Sequence, residues 1–188
     1  MKHMKKYLLS IMMAVVALSS CAGNKKQESG DRSPENTPAT DISTDSSLLT
    51  TASSSDLAPD FTLNDLSGKP LTLSSLRGKY VILDFWGSWC VWCIKGIPQM
   101  KEYYQKYAGK FEILGIDCND TEAKWKAAVE KYEMPWLHVY NPRDSKVLEQ
   151  YEIQGFPTKI IVGPDGNIVK TIIGEDPAFY TFLDQLFK

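Results

Sequence analysis

Histidine is nearly missing from these 188 residues. There are two, His3 and His138, alongside four cysteines. A zinc site would need a second CxxC or paired histidines after Cys90 and Cys93, and neither follows. Ile94 stands where covalent haem attachment requires histidine. No residue is therefore assigned to a metal, and no motif for a bound cofactor is present. Charge of one sign is also missing: 21 Lys and Arg face 23 Asp and Glu, a net charge of −2. No basic patch with interleaved aromatics breaks that balance, so no nucleic-acid partner is expected. There is no internal repeat. The apolar run Leu8–Leu18 is too short to span a bilayer as a helix.

That run has a different meaning. Lys2, Lys5 and Lys6 precede it, and Leu18-Ser19-Ser20-Cys21 follows it. A positive segment, an apolar segment and then small residues make a secretory targeting signal. Leu18-Ser19-Ser20-Cys21 resembles the bacterial lipoprotein box, which implies that residues 1–20 are a signal peptide and Cys21 the lipidated residue; an uncleaved anchor or an ordinary signal peptide are the alternatives. Residues 21–56 then form the lipidated cysteine and a tether. From Gly23 onward this stretch is rich in Ser, Thr, Asp, Asn and Pro. It offers too little apolar surface to offset the entropy of ordering, and as a relaxed coil it spans about 30 Å. Residues 57–188 have the size of one domain with one core.

Within that domain, Tyr80–Trp86 reads as a buried strand broken by Gly87 and Ser88. A helix is expected from about Val91 to Tyr107, with Ile97, Met100, Tyr104 and Tyr107 at helical spacing and a kink at Pro98. Cys90 and Cys93 thus sit where a strand gives way to a helix N-terminus. Free N–H groups and the helix dipole favour negative charge there, and the thiolate is the form that attacks disulfides. Cys90, at the helix end, is assigned as attacking thiol. Cys93, one turn further, is the resolving thiol.

The remaining elements alternate. Strands are expected at Pro59–Leu63, Pro70–Leu73, Phe111–Asp117, Leu137–Tyr140, Lys159–Val162 and Ile168–Ile173, and helices at Thr121–Glu133, Ser145–Tyr151 and Pro177–Phe187. This order gives an α/β domain with a mixed sheet. Cys118 is read as a small residue ending a strand, with a regulatory thiol as the alternative, and His138 as structural. Asp84 lies inside the apolar Tyr80–Trp86 run. A carboxyl there is costly unless it has a task or a partner, and burial raises its pKa.

On these residues the domain resembles the thioredoxin superfamily, and within it the membrane-tethered TlpA/ResA-like thiol–disulfide oxidoreductases. The resemblance is carried by Asp84-Phe85-Trp86-Gly87-Ser88-Trp89-Cys90, by Pro98, and by Gly155-Phe156-Pro157-Thr158. Ala58-Pro59-Asp60-Phe61 and Gly68-Lys69 through Lys79 are similar to that subgroup's N-terminal extension, a short β-hairpin. The resemblance implies a thioredoxin-like fold with a central mixed sheet flanked by helices. It implies a cis bond before Pro157 facing the dithiol, a docking groove shaped by Trp89, Trp92, Phe156 and Pro157, and a proton-relay role for Asp84 at the resolving thiol.

The chain departs from the subgroup at Gly96, where many members carry an acid. It also departs at Val91-Trp92 between the thiols, which lacks the histidine found in oxidants. The function so implied is reduction of disulfides in exported proteins, c-type apocytochromes being one candidate class. The protein would be anchored to a membrane of the bacterial cell envelope with its domain in the periplasm, and recharged by a membrane thiol electron donor. Two rival readings are a thiol peroxidase, disfavoured by Gly87 and Leu83 at the positions where Thr or Ser and Pro are needed, and a thioredoxin-fold binding module without catalysis.

Overall fold

The computed structural model describes residues 56–188. The expected signal peptide at residues 1–20, Cys21 and all of the expected tether but residue 56 lie outside the described residues. Seven strands and four helices follow in the order β1 (Thr62–Asp65), β2 (Pro70–Thr72), β3 (Tyr80–Trp86), α1 (Val91–Lys106), β4 (Phe111–Cys118), α2 (Glu122–Lys131), β5 (Leu137–Asn141), α3 (Val147–Gln150), β6 (Thr158–Val162), β7 (Ile168–Ile173) and α4 (Pro177–Phe187). A 3₁₀ turn, Leu73–Leu76, joins β2 to the approach to β3.

The strands make one mixed sheet in the order β2-β1-β5-β4-β3-β6-β7. β3, β4 and β5 run parallel, β3 to β4 and β4 to β5 each joined through a helix, while on the other side of β3 strand β6 runs antiparallel to it and β7 antiparallel to β6. β3 is therefore bonded along both edges, and six of its seven residues are buried. Such a strand reads as a continuous apolar run, which is what its sequence is apart from Asp84.

Successive side chains on a strand point to opposite faces, and the two faces of β3 enter separate cores. Ile82 and Trp86 pack with Cys93, Ile97 and Met100 of α1, Trp125 of α2 and Phe179 and Leu183 of α4. Val81, Leu83 and Phe85 pack with Phe61, Leu73, Val147 of α3 and Tyr151. Asp84 alternates with Leu83 and Phe85, so its carboxyl enters the core beneath α1 and α4. Those two helices are further tied by Asp184, whose Oδ1 accepts from Lys106 Nζ and from Tyr107 Oη at 2.7 and 2.5 Å. Lys106 beside it, with the tyrosine hydroxyls, pulls the Asp184 carboxyl down to about 2.

The first strand differs from expectation. It begins at Thr62 rather than Pro59. Pro59 has no N–H to give a ladder, and Asp60 turns the chain instead: its Oδ1 accepts from Phe61 N and Ser74 N at 3.1 and 2.9 Å. β1 then pairs with β2 in a hairpin and with β5. α2 and α3 are shorter than expected because Thr121 is the N-cap of α2, not its first residue, and Ser145 lies outside α3. Pro98 is accommodated inside α1.

Phe85 is fully buried in the face that β3 turns to α3 and packs on Tyr151 with ring centroids 5.5 Å apart. Phe85→Ala is expected to destabilise the domain by roughly 3–5 kcal/mol, read as a lower urea midpoint at unchanged slope. A loss below about 1 kcal/mol would show that this face repacks and is not held by β3.

Candidate active site

The strand-to-helix junction is built by a chain of short contacts. Cys90 N donates to Gly87 O at 3.0 Å, closing the turn after β3. Asp120 grips the next residue: its Oδ2 accepts from Ser88 N at 2.6 Å and its Oδ1 from Ser88 Oγ at 2.8 Å. Trp89 Nε1 donates to Cys118 O at 2.9 Å, and the Trp89 ring stands edge-on to Phe156 with centroids 5.3 Å apart. Gly87 makes this possible. A Cβ there would collide with Trp89 Nε1 and fall 2.8 Å from Cys118 O.

Cys90 is the N-cap of α1, with extended backbone. Its Sγ accepts from Cys93 N at 3.1 Å. A backbone N–H aimed at sulfur from a helix N-terminus stabilises a thiolate, and no acidic residue lies in the first turn to oppose it. Cys90 and Cys93 are joined in a disulfide with Cα atoms 5.2 Å apart. Both are 6% exposed, so coverage does not separate them in the oxidised form. What distinguishes them is position, Cys90 capping the helix and Cys93 inside it.

The peptide bond Phe156–Pro157 is cis. Its loop is fastened by Thr158 Oγ1 donating to Gly155 O and by Gly174 N donating to Pro157 O, both at 2.7 Å. Trp92 is 61% exposed, with Lys95 Nζ 4.5 Å above its ring. Trp89 is also half exposed. The two tryptophans, unlike every other tryptophan of the domain, face solvent, and Trp89 with Phe156 links the junction to the cis-proline loop.

Asp84 is buried, and its Oδ1 has no hydrogen-bond partner. Lys159 Nζ lies 3.9 Å from that oxygen, an ion-pair distance too long for a hydrogen bond. The ammonium is committed instead to Glu175 Oε2 at 2.9 Å. Burial pushes the Asp84 carboxyl up to about 6, opposed by Lys159 and aided by Glu175.

Lys159, Glu175 and Tyr180 escaped the sequence reading. Lys159 did leave a signal, since a lysine followed by Ile160-Ile161-Val162 is as out of place in a buried strand as Asp84 is in β3. Cys118 is fully buried, its thiol donating to Ile116 O at 3.3 Å, and burial pushes it far up. It ends β4. His138 is buried and pushed down to about 4 by burial. Among the described residues no cluster of three or more His, Cys, Asp or Glu is arranged to hold a metal.

A sheet with two parallel βαβ steps, a dithiol capping the helix after the central strand and a cis-proline loop beside it invite comparison with known proteins. The model of the AhpC/TSA family matches residues 55–171. The chain belongs to the AhpC/TSA family. It is 40% identical over 119 residues to a thiol-disulfide oxidoreductase ResA of Bacillus cereus, covering 63% of this chain and 68% of that protein.

Solved structures agree. The thioredoxin domain of a thiol-disulfide oxidoreductase from Bacteroides vulgatus is 34% identical with a TM-score of 0.65, over 70% of this chain and 96% of that one. A thiol:disulfide interchange protein from Bacteroides sp. is 35% identical with a TM-score of 0.63, over 70% and 88%. Within the AhpC/TSA family this chain is a thiol–disulfide oxidoreductase of thioredoxin-like fold.

Asp84 yields a stability prediction. Its folded pKa, about 6, stands above its ordinary value of 3.8. The native state therefore binds this proton more readily than the unfolded chain does. The stability that the protonated group supports is fully present below about pH 4 and is lost as pH rises through about 6. Asp84→Asn keeps the neutral form at every pH. It is expected to match the wild type near pH 4 and to exceed it above pH 6 by up to roughly 3 kcal/mol. Urea unfolding at both pH values checks this, and a variant no more stable at pH 7 than the wild type would refute it.

Proposed function

We propose that the Cys90–Cys93 dithiol works as a reductant of disulfides in exported proteins, with Cys90 attacking and Cys93 resolving. The carrying observation is the Cys93 N–H aimed at Cys90 Sγ on the N-cap of α1. In the reduced enzyme the Cys90 thiolate attacks one sulfur of a client disulfide. A mixed disulfide forms, and the other client sulfur leaves as thiolate. Cys93 then gives its proton to the Asp84 carboxylate and attacks Cys90 Sγ. The second client thiolate leaves and is protonated, Asp84 returning its proton. The client gains two electrons, and the enzyme ends as the Cys90–Cys93 disulfide. An external dithiol donor, by this reading a membrane thiol transporter, must restore it.

Trp89, Trp92, Phe156 and Pro157 would receive the client. Trp89 and Trp92 are exposed and Phe156 partly so, with Pro157 buried behind them, an apolar surface that would suit an extended polypeptide rather than a small charged substrate. The absence of histidine between the thiols favours the reducing direction, because a histidine there would stabilise the thiolate and make the disulfide more oxidising. Client proteins would include c-type apocytochromes. Residues 1–20 would direct export, and Cys21 would carry the lipid that holds the domain at a membrane of the cell envelope, facing the periplasm.

Two experiments test this reading. Reduced protein is expected to reduce insulin disulfides and to leave hydrogen peroxide unconsumed, and Cys93→Ser is expected to trap a client through Cys90. Peroxide consumption without insulin reduction would favour a peroxidase, and inertness in both assays a binding module. Separately, Cys21→Ser is expected to move the protein from the membrane to the soluble fraction of the producing cell. If that variant still pellets with membranes, an uncleaved apolar segment is the anchor.

A further inference from the structure

Gly96 lies one helical turn beyond Cys93 on α1, and both are buried. The space beside it is filled from elsewhere in the chain. A Cβ on Gly96 would collide with Glu175 Oε2 and stand 2.5 Å from Cδ and 2.7 Å from Oε1. Only glycine leaves room for that carboxylate. Glu175 is placed by the turn between β7 and α4. Gly174 before it has φ +86° and is tied to Pro157 O, and Asp176 after it caps α4.

The same carboxylate holds Lys159 Nζ at 2.9 Å and accepts from Tyr180 Oη at 2.9 Å. Tyr180 Oη in turn stands 3.5 Å from Gly96 O. Lys159 is 1% exposed and sits directly opposite Asp84 in the β3–β6 register, where paired residues share a face. One buried ammonium therefore faces two carboxylates, with the short contact going to Glu175 and the long one to Asp84.

Two ionised carboxylates around one ammonium would leave a net charge in a low-dielectric core, which is costly. The group that keeps its charge is the one with the better partners. Glu175 has two close donors. Asp84 has the desolvated, unbonded oxygen, so of the two it is the one that takes up a proton as pH falls through about 6. Of the other titratable groups on this face of the sheet, burial pushes Asp117 of β4 up to about 8 and His138 of β5 down to about 4, both away from the pH at which Asp84 titrates. Burial pushes Tyr180 of α4 and Cys118 of β4 far up. Under the proposed mechanism Cys93 of α1 is the proton's exchange partner.

We propose, building on that mechanism, that Glu175 is a positioning residue for thiol–disulfide exchange: it occupies the gap left by Gly96, withholds Lys159 from Asp84, and so sets the pH at which Asp84 takes up and returns the Cys93 proton.

The test is the pH dependence, from pH 4.5 to 8, of single-turnover reduction of insulin by the reduced full-length protein. The wild-type rate is expected to rise with pH through an inflection near 6, where Asp84 becomes a base. Glu175→Gln removes a negative neighbour and frees the ammonium for Asp84. Its inflection moves to lower pH, and at pH 5 it outpaces the wild type by roughly three- to tenfold. Lys159→Met moves the inflection the other way.

Glu175→Ala loses the carboxylate, and Gly96→Asp added to it supplies another from α1. One carbon–carbon bond is about 1.5 Å, so the new carboxylate reaches the vacated place and the wild-type inflection returns. A merely structural ion pair would shift both single variants alike or neither. If Asp84→Asn keeps the wild-type inflection, the relay role of Asp84 is wrong. If Asp84→Asn flattens the profile while Glu175→Gln leaves the inflection in place, only the role of Glu175 is overturned. Should Lys159→Met fail to fold, Glu175→Gln and the Gly96→Asp/Glu175→Ala rescue decide alone.

Discussion

Strand β3 is hydrogen-bonded along both edges and covered on both faces, and the chemistry of the domain depends on that. A strand held this way cannot slide, since a one-residue slip would move Asp84 and Trp86 to the opposite core. Its end therefore fixes where Gly87 turns and where Cys90 falls. Helix α1 must start at that point, because Cys90 Sγ accepts the N–H that the first turn leaves unpaired. The strand thus presents two groups at set depths, a carboxyl inside the core and a sulfur at its exit. Neither position needs a flexible segment to bring it into place.

Two glycines act here by what they leave empty. Gly87 admits the Trp89 indole and the Cys118 carbonyl, and Gly96 admits the Glu175 carboxylate. At Gly87 the space is shared by Trp89 and the Cys118 carbonyl of β4, and at Gly96 it is taken by Glu175, so the glycines couple the β3–α1 segment to β4 and to the β7–α4 turn. These are ordinary right-handed or extended positions. The requirement is close approach, not left-handed backbone. A glycine inside a helix weakens it by roughly 1 kcal/mol relative to alanine, and at Gly96 that loss is set against the burial of a carboxylate with two close donors.

Local sequence carried much of this architecture. The apolar run of β3, the β7 and α4 boundaries and the helix after Cys90 are readable because each rests on a period or a break in one, such as Gly87 after β3. The first strand was misplaced because Asp60 redirects the backbone by reaching Ser74, a contact between segments that no local pattern records. The dithiol and Asp84 stood out by chemistry that conflicts with their surroundings. Lys159 conflicted in the same way, but its meaning needed the antiparallel register that sets it against Asp84. Glu175 conflicted with nothing locally, since an acid between a strand and a helix N-terminus is common in turns. Its role is visible only once the chain brings it against Gly96.

The aromatic groups around the sulfurs differ in how far they are already ordered. Trp89 is half exposed but fixed at two points, by its N–H to Cys118 O and by its ring against Phe156. Trp92 is more exposed and meets the charged end of Lys95. Ordering a side chain on docking costs about 0.5–1.5 kcal/mol, so a client resting on Trp89 and Phe156 meets a platform whose entropy was lost on folding. A client that also covers Trp92 must immobilise it and displace the Lys95 ammonium from the ring, an interaction worth about 0.5–1 kcal/mol at an exposed site. Under the proposed reading, docking strength would fall mainly on Trp89 and Phe156. Trp92 would then add area whose contribution depends on what the client places against it, an arrangement that would favour broad acceptance of polypeptides over tight recognition of one.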